Sequence, residues 1–222
     1  MNNRNIIREK MGKKIFFTLT HCRKKLNGTY NKYNYKANMH ALFFVGARFY
    51  NVKYQASIMT ECNFRDAQLI GVDFYNCNLK RSSFKNSKLE NVIFYNCNLN
   101  NIDFQGSHFS NVTFICTKID NAKNLDINVE GITVLRTYPK LIIDSDTEKI
   151  LLASADKQSV FDAKVIHVSK EKLNRWNLSI IKSRCGEEGL NSLGRILQKK
   201  EKWECLYTVY SYILLIENWG KK

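Results

Sequence analysis

Several features common in other protein classes are missing or scarce in this sequence of 222 residues. No apolar run approaches the roughly 18 residues of a membrane-spanning helix, so we predict no transmembrane segment. The longest runs lie at residues 15–19 and 210–216, and the first is too short and too closely followed by basic residues for a secretory signal. Acidic residues number 20, against 35 lysines and arginines. We therefore expect a cytoplasmic, bacterial-type protein with excess positive charge.

Paired cysteines and catalytic motifs are also lacking. The seven cysteines are odd in number and contain no CxxC pair, which favours reduced thiols over a disulfide framework or a zinc site. There is no glycine-rich phosphate loop, no HExxH and no DxDxDG. His167 and Cys185 are a base and a nucleophile by type, but no catalytic signature surrounds either. We predict a protein that is not an enzyme and needs no cofactor or metal.

Positive charge is concentrated at the N-terminus. The net charge of +15 divides into +9 for residues 1–36, +3 for residues 37–124 and +3 for residues 125–222. We interpret residues 1–36 as a basic arm, either a solvated leader or a segment that neutralises nucleic-acid phosphates or lipid headgroups. The candidate residues of this arm are Lys10, Lys13, Lys14, Arg23, Lys24 and Lys25.

Large apolar residues recur every five positions through the middle of the chain, without exception over seventeen steps. They are Met39, Phe44, Phe49, Tyr54, Met59, Phe64, Leu69, Phe74, Leu79, Phe84, Leu89, Phe94, Leu99, Phe104, Phe109, Phe114 and Ile119. A smaller residue usually stands two positions before each, and twelve of the seventeen are followed two positions later by Asn, Asp or Gly. Those types tolerate tight turns, so each unit is predicted to end in a corner. A spacing of five fits neither a helix nor a strand alternation.

This pattern resembles the pentapeptide-repeat family, whose units follow A[DN]LXX. Ala67-Gln68-Leu69 and Cys77-Asn78-Leu79 are typical units. The resemblance covers residues 37–123 and implies a right-handed quadrilateral β-helix with four units per coil and the central residue pointing inward. Residues 72–79 and 92–99, which differ only at their second position, lie twenty apart, as four units per coil require. The expected fold is mainly β: a solenoid of about four coils with a C-terminal α-helical region.

One face of this solenoid is predicted to carry an exposed apolar patch. Tyr75, Ile93, Tyr95 and Ile115 occupy outward positions on the face whose inward residues are Val72, Phe74 and their equivalents. Exposed apolar patches often mark interfaces, so we predict that these four residues form the interaction face. The alternative is that the C-terminal region folds back over the patch.

The five-residue register ends at Asn124, and the remaining chain has a different pattern. We predict short strands or irregular coils over residues 124–168, which close the solenoid, with apolar runs at 132–135, 141–143 and 150–152. Residues 169–222 have helical spacing, with Ser169 as the first N-cap and a break at Gly186 and Gly189. Because helices at this end mediate dimers in some members of the family, the resemblance implies a cap or a homodimer interface.

Three functions are compatible with this sequence. The first is a non-enzymatic scaffold that binds an unidentified partner protein. The second, implied by the family, is a resistance or immunity factor that binds the topoisomerase DNA gyrase by imitating DNA; the positive charge of the repeat opposes this, since imitation needs a negative column. The third is a nucleic-acid or anionic-surface binder that acts through residues 1–36.

Overall fold

The computed structural model describes residues 18–22, 24–199 and 205–219. The chain forms two compact units, Met1–Arg136 and Thr137–Lys222. The first unit is a β-solenoid of about 5 turns, which confirms the predicted fold class with one turn more than expected. No helix among the described residues has the length and apolar character needed to cross a membrane.

Parallel strands stack along the solenoid in a constant register of twenty residues. The sheet contains β1 (Gly28–Tyr35), β2 (Arg48–Gln55), β3 (Gln68–Tyr75), β4 (Lys88–Glu90), β5 (Ile93–Tyr95), β6 (His108–Ser110), β7 (Val112–Ile115) and β8 (Ile132–Leu135). Phe74 pairs with Tyr54 on one side and with Phe94 on the other. Isolated bridges such as Asn78 to Asn98 continue the same register on the other faces.

The central residues of the repeat fill the bore, as the register predicts. Phe64, Phe84 and their equivalents form one ladder of rings, in which the centroids of Phe64 and Phe84 lie 4.6 Å apart. Phe74 and Phe94 belong to a second ladder, and their centroids lie 5.1 Å apart. Cys62, Cys77 and Cys97 are buried as small inward residues and are free thiols. The Asn, Asp and Gly residues that the repeat places at its corners have positive φ angles, with the exception of Asn121. The pattern therefore predicted both the core and the backbone of the corners.

The solenoid begins before the first recognisable repeat. Residues 28–35, which we assigned to a basic arm, form β1 and pair in parallel with β2. Three inward positions of this first coil hold Thr29, Lys32 and Asn34, opposite Phe49, Val52 and Tyr54 of the next coil. Because the apolar residues of the repeat are missing here, the sequence pattern does not reveal this coil. Lys10, Lys13, Lys14 and Arg23 lie outside the described residues.

The second unit is mainly helical. It contains α1 (Ser145–Ala153), a 3₁₀ turn (Ser154–Asp156), α2 (Gln158–Phe161), β9 (His167–Ser169), β10 (Lys172–Leu173), α3 (Arg175–Lys199) and α4 (Val209–Trp219). Helix α1 takes the place of the strand predicted at residues 150–152 because Asp144 caps it, accepting a hydrogen bond from Thr147 N at 2.8 Å. Gly186, with φ of 75°, interrupts α3 where the sequence predicts a break.

The first long helix starts later than its predicted N-cap. Ser169 ends β9, and its hydroxyl donates to Glu171 Oε2 at 3.2 Å across the turn to β10. Asn174 supplies the cap instead, since its Oδ1 accepts a hydrogen bond from Asn177 N at 3.3 Å. A serine ahead of a helical pattern indicates a cap only where no strand pairing competes for the same residues.

Candidate interaction surfaces

The predicted apolar patch is not exposed, which corrects the interaction face that we assigned from sequence. Tyr75 is 6%, Ile93 3% and Ile115 0% exposed, and Tyr95 is half-buried. The register stacks the rings of Tyr75 and Tyr95 face to face, with centroids 4.9 Å apart, and Lys53 Nζ lies 4.1 Å from the centroid of Tyr75. Three of the four side chains are therefore too little exposed to form the predicted apolar patch.

The catalytic alternative gains no support from the geometry of its residues. His167 is buried, and its Nε2 donates to the carbonyl of Leu151 at 2.8 Å. Burial lowers the pKa of this imidazole. Cys185 lies half-buried in α3, where burial raises the pKa of its thiol, and an activated nucleophile needs the opposite shift. Within residues 18–22, 24–199 and 205–219, no group of three or more His, Cys, Asp or Glu residues could hold a metal ion.

A solvent-facing edge of the solenoid carries a polar cluster that spans successive coils. His21 and His40 meet edge to face with ring centroids 4.9 Å apart. His40 Nδ1 lies 2.7 Å from Thr60 Oγ1, and His40 Nε2 lies 3.9 Å from Glu61 Oε2. Arg81 Nε donates to Glu61 Oε1 at 2.9 Å. This hydrogen bond is the main cause of a lowered pKa at Glu61, to which His40 and His21 add.

Two exposed apolar side chains flank this cluster. Ile58, three residues before Glu61, is 46% exposed, and Phe43, two residues after the equivalent corner of the previous coil, is 43% exposed. We name Phe43, Ile58, Glu61 and Arg81, together with His40, the corner edge. An arginine and an aromatic ring beside a polar rim match the composition of residues that dominate binding at protein interfaces.

The corner edge is built on backbone that disfavours its own side chains. Glu61 and Arg81 occupy corner positions with φ angles of 59° and 60°, where most other corners of the repeat hold Asn, Asp or Gly. Long side chains in this left-handed region cost on the order of 1 kcal/mol each relative to glycine. The positive φ is common to the corners of the solenoid, so the fold sets the backbone at Glu61 and Arg81, and their long side chains distinguish these two corners from the others.

The two candidate cations of the basic arm that the structure describes are accessible to solvent. Lys24 and Lys25 are both exposed, and Lys25 forms a backbone bridge with Phe43 at the corner edge. Other cations on the outer faces are partly neutralised, since Lys85 Nζ lies 3.1 Å from Asp103 Oδ2 and Arg65 Nε lies 3.3 Å from Asp66 Oδ2.

No sequence pattern points directly to the corner edge. Outward residues follow no hydrophobic period, so only the spacing of twenty between Glu61 and Arg81, which are opposite in charge, could have indicated their contact. His40 and Thr60 show the same spacing. A search for complementary outward pairs twenty residues apart, once the coil length is known, would have found both pairs.

Part of the solenoid matches a known protein family. Residues 47–123 match the family described as Pentapeptide repeat region. Trypsin-treated QnrB1, a plasmid-mediated fluoroquinolone resistance protein, is 20% identical over 47% of this chain and 54% of its own, with a TM-score of 0.43. The pentapeptide repeat protein alr5209 from Nostoc PCC 7120 is 16% identical over 52% of this chain and 84% of its own, with a TM-score of 0.32.

A third solved structure is HetL, a pentapeptide repeat protein involved in heterocyst differentiation regulation from Nostoc sp. strain PCC 7120. It is 12% identical over 49% of this chain and 60% of its own, with a TM-score of 0.34. The chain thus spans about half the length of the first of these structures, QnrB1. No curated protein matches the chain.

Proposed function

We propose that this pentapeptide-repeat protein is a non-enzymatic scaffold that binds a partner protein through the corner edge. The observation that carries the proposal is the Glu61–Arg81 ion pair on two left-handed corners, where asparagine or glycine would suit the backbone better. The exposed Phe43 and Ile58 supply apolar area on either side of this pair. The stacked coils beneath hold all these groups on a rigid support, which lowers the entropic cost of binding.

The experiment is affinity purification of the full-length protein from its native cells, with quantification of every co-purifying protein. The test variant is Phe43→Ser with Ile58→Ser. The matched control is Tyr30→Ser, which removes an exposed aromatic ring on β1. A partner retained by wild type and control but lost from the double variant supports the proposal. A partner retained by all three proteins excludes the corner edge.

A second candidate function is binding of nucleic acid or an anionic surface through residues 1–36. The exposure of Lys24 and Lys25 and the +9 charge of this segment favour it. Each neutralised phosphate releases counterions, so such binding must weaken steeply as salt increases. Deletion of residues 1–17 together with Lys24→Gln and Lys25→Gln should abolish it, whereas affinity that is insensitive to salt would reject this function. The DNA-gyrase alternative has no comparable support, because the exposed cations noted above oppose imitation of DNA.

A further inference from the structure

The first-coil end of the solenoid contains a cavity of about 250 Å³. Its floor is the start of the bore, formed by large apolar side chains that include Met39, Phe44 and Phe49. A cavity of roughly 150 Å³ with comparable walls takes up benzene, so this one has room for a somewhat larger apolar group.

The cavity exists because the first coil does not fill its own interior. Thr29, Lys32 and Asn34 lie in register with Phe49, Val52 and Tyr54, and all three line the cavity. Where later coils place Phe74, Phe94 or Phe114 against the preceding ring, the first coil places the short amide of Asn34. The polar residues at the inward positions make this coil unrecognisable in the sequence. They also leave space above the apolar bore and give that space a polar rim.

The rim has one sign of charge. Lys32 is the single cationic residue of the lining, and no aspartate or glutamate contributes to it; these statements concern residues 19–54, which the structure describes apart from residue 23. Lys32 is exposed, so its ammonium group can meet an incoming anion without losing its hydration entirely. Apolar walls with one polar anchor are the usual composition of a small-molecule site.

From this geometry we propose that the first-coil end of the bore binds a small amphipathic carboxylate. The short acyl chain enters the bore against Met39, Phe44 and Phe49, and the carboxylate remains at the rim beside Lys32. Thr29 and Asn34 supply neutral hydrogen-bonding groups next to it. The site lies outside the corner edge, so either proposal can fail without the other.

Methionine-methyl NMR of the full-length protein tests this directly, with octanoate as the probe. Met39 lines the cavity, and Met59, one coil deeper and fully buried, does not. Octanoate should shift the Met39 methyl signal in a saturable manner and leave that of Met59 nearly unchanged. Octanol, which has the same chain without the charge, should bind about two to five times more weakly, the range of an exposed ion pair.

Two variants separate the apolar and ionic parts of the site. Asn34→Leu fills the bore as in later coils and should abolish the Met39 shift while preserving the fold, which a melting curve checks. Lys32→Gln should weaken octanoate about two to five times without affecting octanol. Lys88→Gln, an exposed lysine on a distant coil, is the matched control and should change neither affinity.

Three results would overturn the proposal. The first is the absence of a saturable Met39 shift in the wild-type protein. The second is an unchanged shift in folded Asn34→Leu, because the ligand would then lie elsewhere. The third is equal affinity of the wild-type protein for octanoate and octanol, which would remove the carboxylate from the proposed ligand class.

Discussion

The mid-column phenylalanine Phe84 should be among the most costly residues of the solenoid to truncate. Its side chain is fully buried. Its ring lies 4.6 Å from that of Phe64 and 5.5 Å from that of Phe104, between centroids, in the same ladder. It also meets the opposite ladder edge to face, at 6.4 Å from Phe74 and 6.3 Å from Phe94. Phe84→Ala therefore removes aromatic contacts with four rings at once.

The expected cost follows from the size of the cavity that truncation leaves. A buried Phe→Ala change costs about 3–5 kcal/mol, and because the coils above and below are fixed by the backbone register, the site cannot collapse. We expect a value at the upper end, about 4–5 kcal/mol, a large fraction of the 5–15 kcal/mol typical of a domain. Phe43→Ala removes the same atoms from an outward position and should cost no more than about 1 kcal/mol.

Urea unfolding followed by two signals provides the assay. All three tryptophans, Trp176, Trp203 and Trp219, lie in the second unit, so their fluorescence follows residues 137–222. Far-UV circular dichroism provides the second signal, which includes the unfolding of the β-structure of the solenoid. Phe84→Ala should lower the urea midpoint of the β signal far more than Phe43→Ala does. Equal midpoints for the two variants would refute the register and the ring ladders.

Three further changes test other parts of the structure. Because burial depresses the pKa of His167, the unfolded chain binds more protons at this residue than the folded chain, so stability should fall as pH decreases through the ordinary histidine range of about 6.5 and level off below the folded pKa. Asp144→Ala should lower the melting temperature of the second unit, whereas Asp144→Asn, which keeps a capping oxygen, should not. Gly28→Ala should destabilise the first coil, because φ is 94° and an added Cβ would lie 2.0 Å from the Arg48 carbonyl oxygen.

Each of these expectations has a clear contrary result. The pH effect does not come from His167 if His167→Asn retains the full pH dependence of the wild type. The cap is unimportant if the alanine and asparagine variants at Asp144 melt together. The first coil is misplaced if Gly28→Ala unfolds at the same temperature as the wild type.

Sequence alone predicted the parts of this fold that repeat. The period of five required inward residues such as Phe84 and left-handed corners such as Asn96, and both are present. The first coil escaped detection because its inward positions are polar at Thr29, Lys32 and Asn34. Helix α1 escaped because a capping aspartate in a polar stretch also indicates a loop. These elements depend on pairing and capping rather than on hydrophobic period.

The functional surface was harder to predict for a different reason. Exposure is not a property of the local sequence, and the pattern around Tyr75 and Ile93 does not predict that both side chains are buried. Outward residues are also free of the packing constraint that creates the repeat. The contact between Glu61 and Arg81 becomes predictable only after the coil length is known, because it joins residues twenty apart.

The most direct test of the central claim is to return the two strained corners to the residue that the repeat prefers and measure stability and binding together. The variant is Glu61→Asn with Arg81→Asn. Asparagine tolerates the left-handed backbone, so the solenoid should be at least as stable as the wild type, while the partner obtained by affinity purification should be lost. Retention of the partner by this variant, or its loss together with a lower melting temperature, would contradict the claim that these corners are kept for binding.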